Sequence, residues 1–310
     1  MPAPSDDAAQ TDMIRSYLFV PGDDLKKLDR SQTSPADALI YDLEDSVGPD
    51  RKEAARTIVR DHIRARGTGG HHKTVRVNSF ATGLTAGDLA VVMQAAPDSI
   101  LLPKCEGQAE LDRLGHMLDV LEAREGIAAG RTKVLALVTE TASAVLMAAS
   151  TRLSHARLTA LTWGAEDLSA DVGAVAKAGP DGVLDDTFKY ARVVCLLSAS
   201  AAGVTPLDTV YPDFRDLAGF EAECVTGKRM GFLSKMAIHP AQVEPINRVF
   251  SPSPAELDWA RKVVEAFAKA GNGGVTQMDG KMLDKPHLKL AQRLLGTEGS
   301  SVIPSEARDL

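Results

Sequence analysis

The sequence reads VLALVTE at residues 134–140 and LTALTWGAED at residues 158–167, two apolar runs that each lead into a carboxylate. A short apolar run bounded by polar residues is typical of a strand that is buried in a parallel sheet. The two runs follow one another along the chain. They therefore predict consecutive strand–helix units, with Glu140 and Asp167 at neighbouring strand ends.

Eight such runs occur in order along the chain. They lie at residues 17–20, 38–41, 74–77, 99–102, 134–138, 158–163, 204–210 and 235–238. Between them, residues 53–66, 110–124 and 186–201 have the periodicity of helices. Alternating strands and helices indicate parallel strands with crossover helices, and eight units favour a closed barrel. The sequence thus predicts an α/β fold, a TIM (β/α)8 barrel over residues 14–250.

Composition and charge exclude several classes of protein. The 310 residues are 44% hydrophobic and carry a net charge of −7, which argues against a non-specific nucleic-acid binder. No run of about 18 apolar residues predicts a membrane span, and residues 1–10 do not resemble a signal peptide. Three widely spaced cysteines favour neither a zinc site nor a disulfide framework, so we expect a cytoplasmic protein.

Charged residues cluster directly after the apolar runs. The positions are Asp42, Glu44, Asp45, Arg76, Lys104, Glu106, Glu140, Glu166, Asp167 and His239. In a barrel these positions share the face on which active sites are built. Any single one can be a structural strand end, but the same feature in six of the eight units indicates a functional site.

Glu140 and Asp167 are the predicted metal ligands. Two carboxylates, completed by waters and substrate oxygens, form a typical Mg²⁺ site. The alternative is that they cap or complement the helices that follow them. Arg76 either pairs with such carboxylates or holds a substrate oxygen and stabilises an enolate.

Two further charged segments remain ambiguous from sequence alone. In the segment YDLEDSVGPDRKEAAR, at least one carboxylate must face the mouth of the barrel, the end at which the strands finish. We place Glu44 in the catalytic set. Asp45 or Ser46 can instead cap the helix that follows. Lys26 and Arg30 lie four residues apart on one helix face. They can hold phosphates or be merely solvated.

The chain after the eighth run follows a different pattern. A capped helix is predicted within residues 251–271, then a glycine-rich hinge, then a second helix after Pro286. We expect residues 251–295 to form a helical lid or arm. Residues 1–13 and 296–310 are predicted to be disordered.

These segments together resemble the citrate lyase β subunit-like family, within the HpcH/HpaI aldolase/citrate lyase group and near malyl-CoA and citramalyl-CoA lyases. The matching stretches are RSYLFVPG, DALIYDLEDSV, KTVRVNS, ILLPKCEG, VTETASAV, TWGAEDLSADVGA, YPDFRDLAGFEAE, GFLSKMAIHPAQVEPINRVFSPSPAEL and GKMLDKPHLKLAQRLL. They cover about residues 14–295 in the family's order, and nine in register make the resemblance specific.

The resemblance implies roles for individual residues. Glu140 and Asp167 fall on the family's Mg²⁺ ligands, and Arg76, with Glu140, falls where substrate binds. Asp284 matches an acid that the C-terminal segment brings to a neighbouring subunit, which implies a homotrimer or a hexamer. The positions that contact a CoA-type substrate in relatives are Phe19, Lys26, Arg30, Ile238 and His239. Phe19 stands where some relatives have Tyr, and Arg30 where some have Lys.

The expected activity is a Mg²⁺-dependent, reversible Claisen-type cleavage of a malyl, citramalyl or citryl thioester to an acetyl thioester and a keto acid. The thioester is carried on CoA or on an acyl-carrier arm. One alternative is a metal-dependent aldolase acting on free 2-keto-3-deoxy acids. Another is a non-catalytic regulatory subunit on a retained barrel.

Overall fold

A computed structural model describes residues 13–67, 69–180, 182–271 and 274–296. Eight parallel strands close into a barrel in sequence order, and the last pairs with the first. The strands are β1 (Ser16–Pro21), β2 (Ala38–Asp42), β3 (His72–Arg76), β4 (Ser99–Leu102), β5 (Lys133–Leu137), β6 (Leu158–Thr162), β7 (Thr205–Asp208) and β8 (Ser234–Ala237). The predicted TIM-type barrel is confirmed, because each predicted run coincides with one strand.

Helices surround the barrel. They are α1 (Leu25–Ser31), α2 (Lys52–Arg66), α3 (Thr85–Val92), α4 (Gln108–Glu125), α5 (Ala142–Ser150), α6 (Ala165–Val172), α7 (Asp186–Ala202), α8 (Leu217–Met230) and α9 (Val243–Phe250). The three helices predicted from periodicity correspond to α2, α4 and α7. Thr141 caps α5 by accepting a hydrogen bond from the Ala144 N–H. Gly126, Gly173 and Gly203 end α4, α6 and α7 in the left-handed conformation that glycine adopts without strain.

Alternation along each strand divides the core into two layers. In β2, Ala38 and Ile40 belong to the cluster inside the barrel, whereas Leu39 and Tyr41 belong to the larger cluster between strands and helices. Successive strand residues point to opposite faces, and both faces of this sheet are covered. Every residue of β2 is accordingly buried. The charged side chains of the strands can therefore reach solvent only at the two ends of the barrel.

The segment after α9 belongs to a second compact unit, separate from the barrel unit Ile14–Phe250. It contains α10 (Pro254–Ala270), β9 (Val275–Met278), β10 (Lys281–Asp284) and α11 (Lys285–Leu294). A capping box of Ser253 and Glu256 starts α10. The two predicted helices are confirmed. That the segment acts as a lid stays a prediction.

The hairpin of β9 and β10 was not predicted from the sequence. Its two-residue loop is Asp279–Gly280, with φ of 51° and 74°. Two positive φ values match the type I′ turn, for which Asp-Gly is a strong signal. The signal was present, but the neighbouring glycines led to the prediction of a hinge.

Two further predictions concern disorder at the two ends of the chain and the lack of a membrane-spanning segment. The predicted disordered ends, residues 1–13 and 296–310, lie outside the described residues except for Met13 and Gly296. Of the helices in the described ranges, none combines the length and the apolar character that crossing a membrane requires.

A buried ion pair fastens the amino ends of β5 and β6. Glu122 of α4 is fully buried and accepts hydrogen bonds from the Thr132 and Gly130 N–H groups at 2.7 and 2.8 Å. The Arg157 guanidinium donates to both of its carboxylate oxygens, at 2.8 and 2.6 Å. Burial opposes ionisation, but these donors outweigh it and lower the pKa of Glu122 to about 2.

We predict that Glu122→Gln lowers the free energy of unfolding at pH 7 by about 3 kcal/mol, because the buried Arg157 loses its buried partner charge and keeps only Asp119, which is largely exposed. The depressed pKa means that this contribution is complete above the pKa of the unfolded carboxyl, near 4.5, and is lost as the pH falls towards about 2. Urea unfolding should therefore show a difference in the free energy of unfolding between wild type and variant, and this difference should become smaller as the pH is lowered. Glu125→Gln on the same helix is the control, and an equal difference at pH 7 and at acidic pH would contradict the prediction.

Candidate active site

Charged side chains from five neighbouring strand ends meet at the carboxyl end of the barrel. Asp42 and Arg76 are the last residues of β2 and β3 and pair in register. Lys104 lies two residues after β4, Glu140 lies three residues after β5, and Asp167 lies in the first turn of α6. The carboxyl ends of parallel strands share one face, so these residues form a single cluster.

Arg76 is the centre of this cluster. Its Nε and Nη2 donate to the two Asp42 oxygens at 2.7 and 2.8 Å, and its side chain is 11% exposed. The Phe19 ring lies 4.8 Å from the guanidinium carbon. Burial alone would lower the pKa of Arg76, but the charge of Asp42 raises it well above its usual range. The guanidinium is therefore permanently charged and held in one orientation.

Only one edge of the guanidinium faces the mouth. Asp42 occupies the Nε and Nη2 edge, while Nη1 lies 2.9 Å from Glu44 Oε2 and 3.3 Å from Asp45 Oδ2. Asp42 thus takes the bidentate edge of Arg76, which is the pairing with a carboxylate that the sequence left open. The remaining donor for a substrate oxygen is Nη1, which also donates to Asp45. Asp45 does not cap a helix as the alternative interpretation had it, because α2 begins after Gly48 and a 3-10 turn.

Glu44 lies between two cations. Its Oε1 accepts a hydrogen bond from the Lys104 ammonium at 2.8 Å. Its Oε2 is buried close to Arg76 Nη1, but the N–H is not directed for a hydrogen bond, so this oxygen has no hydrogen-bond donor among the described residues. Burial raises the pKa of Glu44 despite the nearby Arg76. The predicted position of Glu44 at the mouth agrees with this geometry.

Glu140 is almost fully buried and held by backbone atoms. Its Oε2 accepts a hydrogen bond from the Lys104 N–H at 2.6 Å. Gly164, which precedes α6, leaves the space for the side chain, because a Cβ there would lie 2.7 Å from Glu140 Cγ. Burial and the negative charges of Glu44 and Asp167 raise the pKa of Glu140 to about 8. Such crowding of carboxylates is relieved by a bound cation.

The residues present fit a hard divalent cation. The donor groups are carboxylate oxygens, which Mg²⁺ prefers, and the buried Glu44 Oε2 is an acceptor without a hydrogen-bond donor. Across the described ranges, no group of three or more His, Cys, Asp or Glu side chains is arranged around one point. That Glu140 and Asp167 hold such a cation, with waters or substrate oxygens completing its shell, stays a prediction from the sequence.

The positions expected to contact a CoA arm lie on β1, α1 and the end of β8. Lys26 and Arg30 are both exposed on α1, and no ion pair joins either to another described residue. Ile238 is 40% exposed. His239 is also exposed; its Nδ1 accepts a hydrogen bond from the Ala241 N–H, and its ring stacks on Phe214 at 4.9 Å. Their role in binding stays a prediction.

Asp284 lies in the second compact unit, as the N-cap of α11. Its Oδ1 is 2.5 Å from His287 Nδ1, and its side chain is 42% exposed. The capping position was the structural alternative considered from the sequence. A capping residue with an exposed carboxylate can still act as an acid or base, so its catalytic role stays a prediction.

Lys104 and Asp42 are the members of the cluster that the predicted site lacked. Lys104 binds Glu44 through its side chain and Glu140 through its backbone. Asp42 orients Arg76 and also accepts hydrogen bonds from the Glu44 and Ser46 N–H groups. Both follow strands in the same pattern as the predicted residues, and that position was the available signal.

A TIM-type barrel with an arginine and several carboxylates at its carboxyl end has the arrangement on which barrel enzymes build their active sites. A profile of the HpcH/HpaI aldolase/citrate lyase family matches residues 15–240, and the chain belongs to this family of carbon–carbon lyases. Its resemblance to citrate lyase β-like proteins, inferred from the nine motifs, is thereby confirmed.

Named relatives cover nearly the whole chain. The chain is 36% identical over 290 residues to a (3S)-malyl-CoA thioesterase of Cereibacter sphaeroides, covering 93% of this chain and 95% of the relative. It is 31% identical to the mitochondrial citramalyl-CoA lyase of Rattus norvegicus, and the match covers 91% of this chain and 85% of that relative. The crystal structure of Mycobacterium tuberculosis CitE with magnesium, acetoacetate and coenzyme A matches with a TM-score of 0.70, 31% identity, and coverage of 92% and 98%.

We predict that Arg76→Lys lowers kcat/KM by roughly 30- to 1000-fold, or ~2–4 kcal/mol of transition-state stabilisation. Lys keeps the charge but cannot bind Asp42 with two N–H groups while a third faces the mouth. Steady-state kinetics would measure the loss, with Arg64→Lys, an exposed arginine on α2, as the control. Near-wild-type kinetics for Arg76→Lys would show that activity does not require the planar arrangement of N–H groups in the guanidinium.

Proposed function

We propose that this chain is a Mg²⁺-dependent lyase that cleaves a 3-hydroxyacyl-CoA thioester reversibly into acetyl-CoA and a keto acid. The proposal is supported by the grouping of carboxylates at the mouth: Glu44 and Asp167 act electrostatically on the buried Glu140, and Glu44 Oε2 lies 2.9 Å from Nη1 of the permanently charged Arg76. Malyl, citramalyl and citryl thioesters are the candidate substrates. The names of the relatives and the CoA and magnesium in a similar structure support this choice.

Three members of the cluster, Glu44, Asp45 and Lys104, line a polar cavity. The cavity has a volume of about 660 Å³ and its lining includes Glu44, Lys104, Lys52, Arg56 and Asn78. Sites for small molecules span about 300–1,000 Å³. The lining carries three cationic residues, Lys52, Arg56 and Lys104, and three acidic ones, Glu44, Asp45 and Glu53, so it suits a polar acyl group better than a purely apolar chain.

Each residue of the cluster has a task in the proposed cleavage. Glu140 and Asp167 would hold the cation, which supplies polarisation of the substrate's hydroxyl and carboxylate oxygens. When the hydroxyl proton leaves, the C2–C3 bond breaks, the new carbonyl forms at C3, and the electron pair passes to C2 as the enolate of the acetyl thioester. Arg76 Nη1 stabilises the enolate oxygen. Glu44, with an oxygen that lacks a hydrogen bond, can accept the hydroxyl proton.

A second candidate function has one specific observation in its favour. The relatives that share 36% identity with this chain are named thioesterases, and hydrolysis of the same substrate would release free CoA and a dicarboxylic acid. The two activities leave different products from one thioester. A single product analysis therefore separates them.

We predict that (3S)-malyl-CoA or a homologous thioester gives acetyl-CoA and a keto acid in the presence of Mg²⁺ and no product in EDTA. Glu140→Gln and Asp167→Asn should each reduce turnover by a few orders of magnitude, because each removes one of two protein charges at the cation. Glu166→Gln, which changes the carboxylate next to Asp167, is the matched control and should retain activity.

The other outcomes each identify an alternative. Free CoA with a dicarboxylic acid would indicate a thioesterase. Cleavage of free 2-keto-3-deoxy acids without CoA would indicate the aldolase. Full activity in EDTA would contradict the metal requirement, and turnover of no substrate would favour a regulatory subunit.

The proposed enzyme is a homo-oligomer, a trimer or a hexamer by resemblance to its family. Support comes from α5 and α7, which lie side by side with the Ser198 hydroxyl donating to the Ala148 carbonyl at 2.9 Å. Both expose apolar side chains: Leu146, Met147, Tyr190, Val193 and Leu197. No charged residue occurs in α5. α7, in contrast, exposes Asp186 and Lys189 near its start. An apolar surface of this kind is typical of surfaces that are buried between subunits.

We propose that Asp284 protonates C2 of the enolate from a neighbouring subunit, and removes that proton in the condensing direction. Asp284→Asn should abolish turnover while leaving stability unchanged, because Asn caps a helix as well as Asp does. Mixing this variant with Arg76→Ala under conditions that exchange subunits should restore part of the activity. Wild-type turnover by Asp284→Asn would leave Asp284 with a capping role only, and verified mixed oligomers without recovery would exclude sharing between subunits.

A further inference from the structure

Lys104 has an unusual backbone conformation at the mouth of the barrel. Its φ is +49°, in the left-handed region that a residue with a Cβ adopts only with strain. Two hydrogen bonds to the next strand's end maintain it: the Lys104 N–H donates to Glu140 Oε2 at 2.6 Å, and the Cys105 N–H donates to the Leu137 carbonyl at 2.8 Å. Strain of this kind persists where surrounding contacts hold it, and it occurs often at functional sites.

The same residue sends its ammonium back into the acidic cluster. Lys104 Nζ lies 2.8 Å from Glu44 Oε1, 3.3 Å from Asp167 Oδ1 and 3.9 Å from Asp45 Oδ1. The side chain is 27% exposed, so solvent screens these interactions only in part. One tethered cation thus contacts three carboxylates, one of which is a proposed ligand of the divalent cation.

We propose that Lys104 is a positioning residue that sets the affinity of the metal site: its N–H fixes Glu140 as a ligand, while its ammonium competes with the divalent cation for Asp167. The inference rests on the proposed metal site and adds a control on its occupancy. Two positive charges cannot both lie against one carboxylate oxygen without strong repulsion. A divalent cation that binds Asp167 through Oδ1 therefore displaces the ammonium from that oxygen, and Glu44 Oε1, at 2.8 Å, is the other carboxylate oxygen close to Lys104 Nζ.

The two possible roles of the ammonium predict opposite changes in metal affinity when it is removed. If Lys104 merely organised the carboxylates, removing its ammonium would weaken metal binding. If the ammonium competes, removing it strengthens metal binding. Lys104→Met isolates the side chain, because the variant keeps the backbone N–H that holds Glu140.

Mn²⁺ binding in the absence of any thioester tests the inference, followed by electron paramagnetic resonance and by calorimetry on the full chain. Lys104→Met should bind Mn²⁺ about tenfold more tightly than wild type, a difference of ~1.4 kcal/mol at 25 °C. Lys104→Arg, which keeps a positive charge, should bind within about threefold of wild type. Lys177→Met is the matched control, because Lys177 is 28% exposed and pairs with Glu166, beside Asp167 but outside the cluster. It should leave the affinity unchanged.

Unchanged or weaker Mn²⁺ binding by Lys104→Met would overturn the competition. Should that variant fail to fold, Lys104→Gln supplies the same uncharged test. The two proposals fail separately: Mn²⁺ bound by wild type with no effect of Lys104 sinks only this inference, whereas wild type without Mn²⁺ binding sinks the metal site and this inference together. A lack of thioester turnover alone leaves the binding result valid.

Discussion

The bidentate ion pair between Asp42 and Arg76 joins the carboxyl ends of two neighbouring strands, and the other charges of the mouth are arranged around it. Asp42 accepts two N–H groups of Arg76 and, with the same two oxygens, the N–H groups of Glu44 and Ser46. It therefore orients the arginine and shapes the loop that carries Glu44. A buried pair stabilises little by itself, because desolvation offsets the attraction. Its effect is to hold the guanidinium of Arg76 in one orientation at the mouth.

Strand ends and carboxylates were predictable from the sequence because they depend on local pattern. Eight apolar runs fixed the positions of the eight strands, and parallel pairing then brought Glu140 and Asp167 to the same face. The hydrogen-bond partners were not predictable in this way. That Asp42 occupies one edge of Arg76 depends on side-chain direction at the end of β2, and polarity alone does not give it.

Lys104 shows the limit most clearly. The sequence gives its residue type and its position after β4. Its contacts, however, depend on a left-handed backbone conformation that the sequence PKCEG does not predict. The hairpin of the C-terminal unit is the converse case. Its Asp-Gly turn is a recognised local signal, yet the nearby glycines also fit a hinge. Local patterns thus predict elements well, whereas contacts that depend on one unusual torsion require the structure.

Charge balance, rather than burial, distinguishes the mouth from the rest of the barrel. Asp208, the last residue of β7, is fully buried, yet its pKa is lowered, because Lys235, Arg192 and the Trp163 N–H offset the effect of burial. Glu140 is buried to a similar degree, and burial raises its pKa to about 8, because the neighbouring carboxylates of Glu44 and Asp167 add to the effect of burial instead of offsetting it. At the mouth five carboxylates face two cations, namely Asp42, Glu44, Asp45, Glu140 and Asp167 against Arg76 and Lys104. A folded chain tolerates such an excess of negative charge where a ligand supplies the missing positive charge, and the proposed divalent cation is such a ligand.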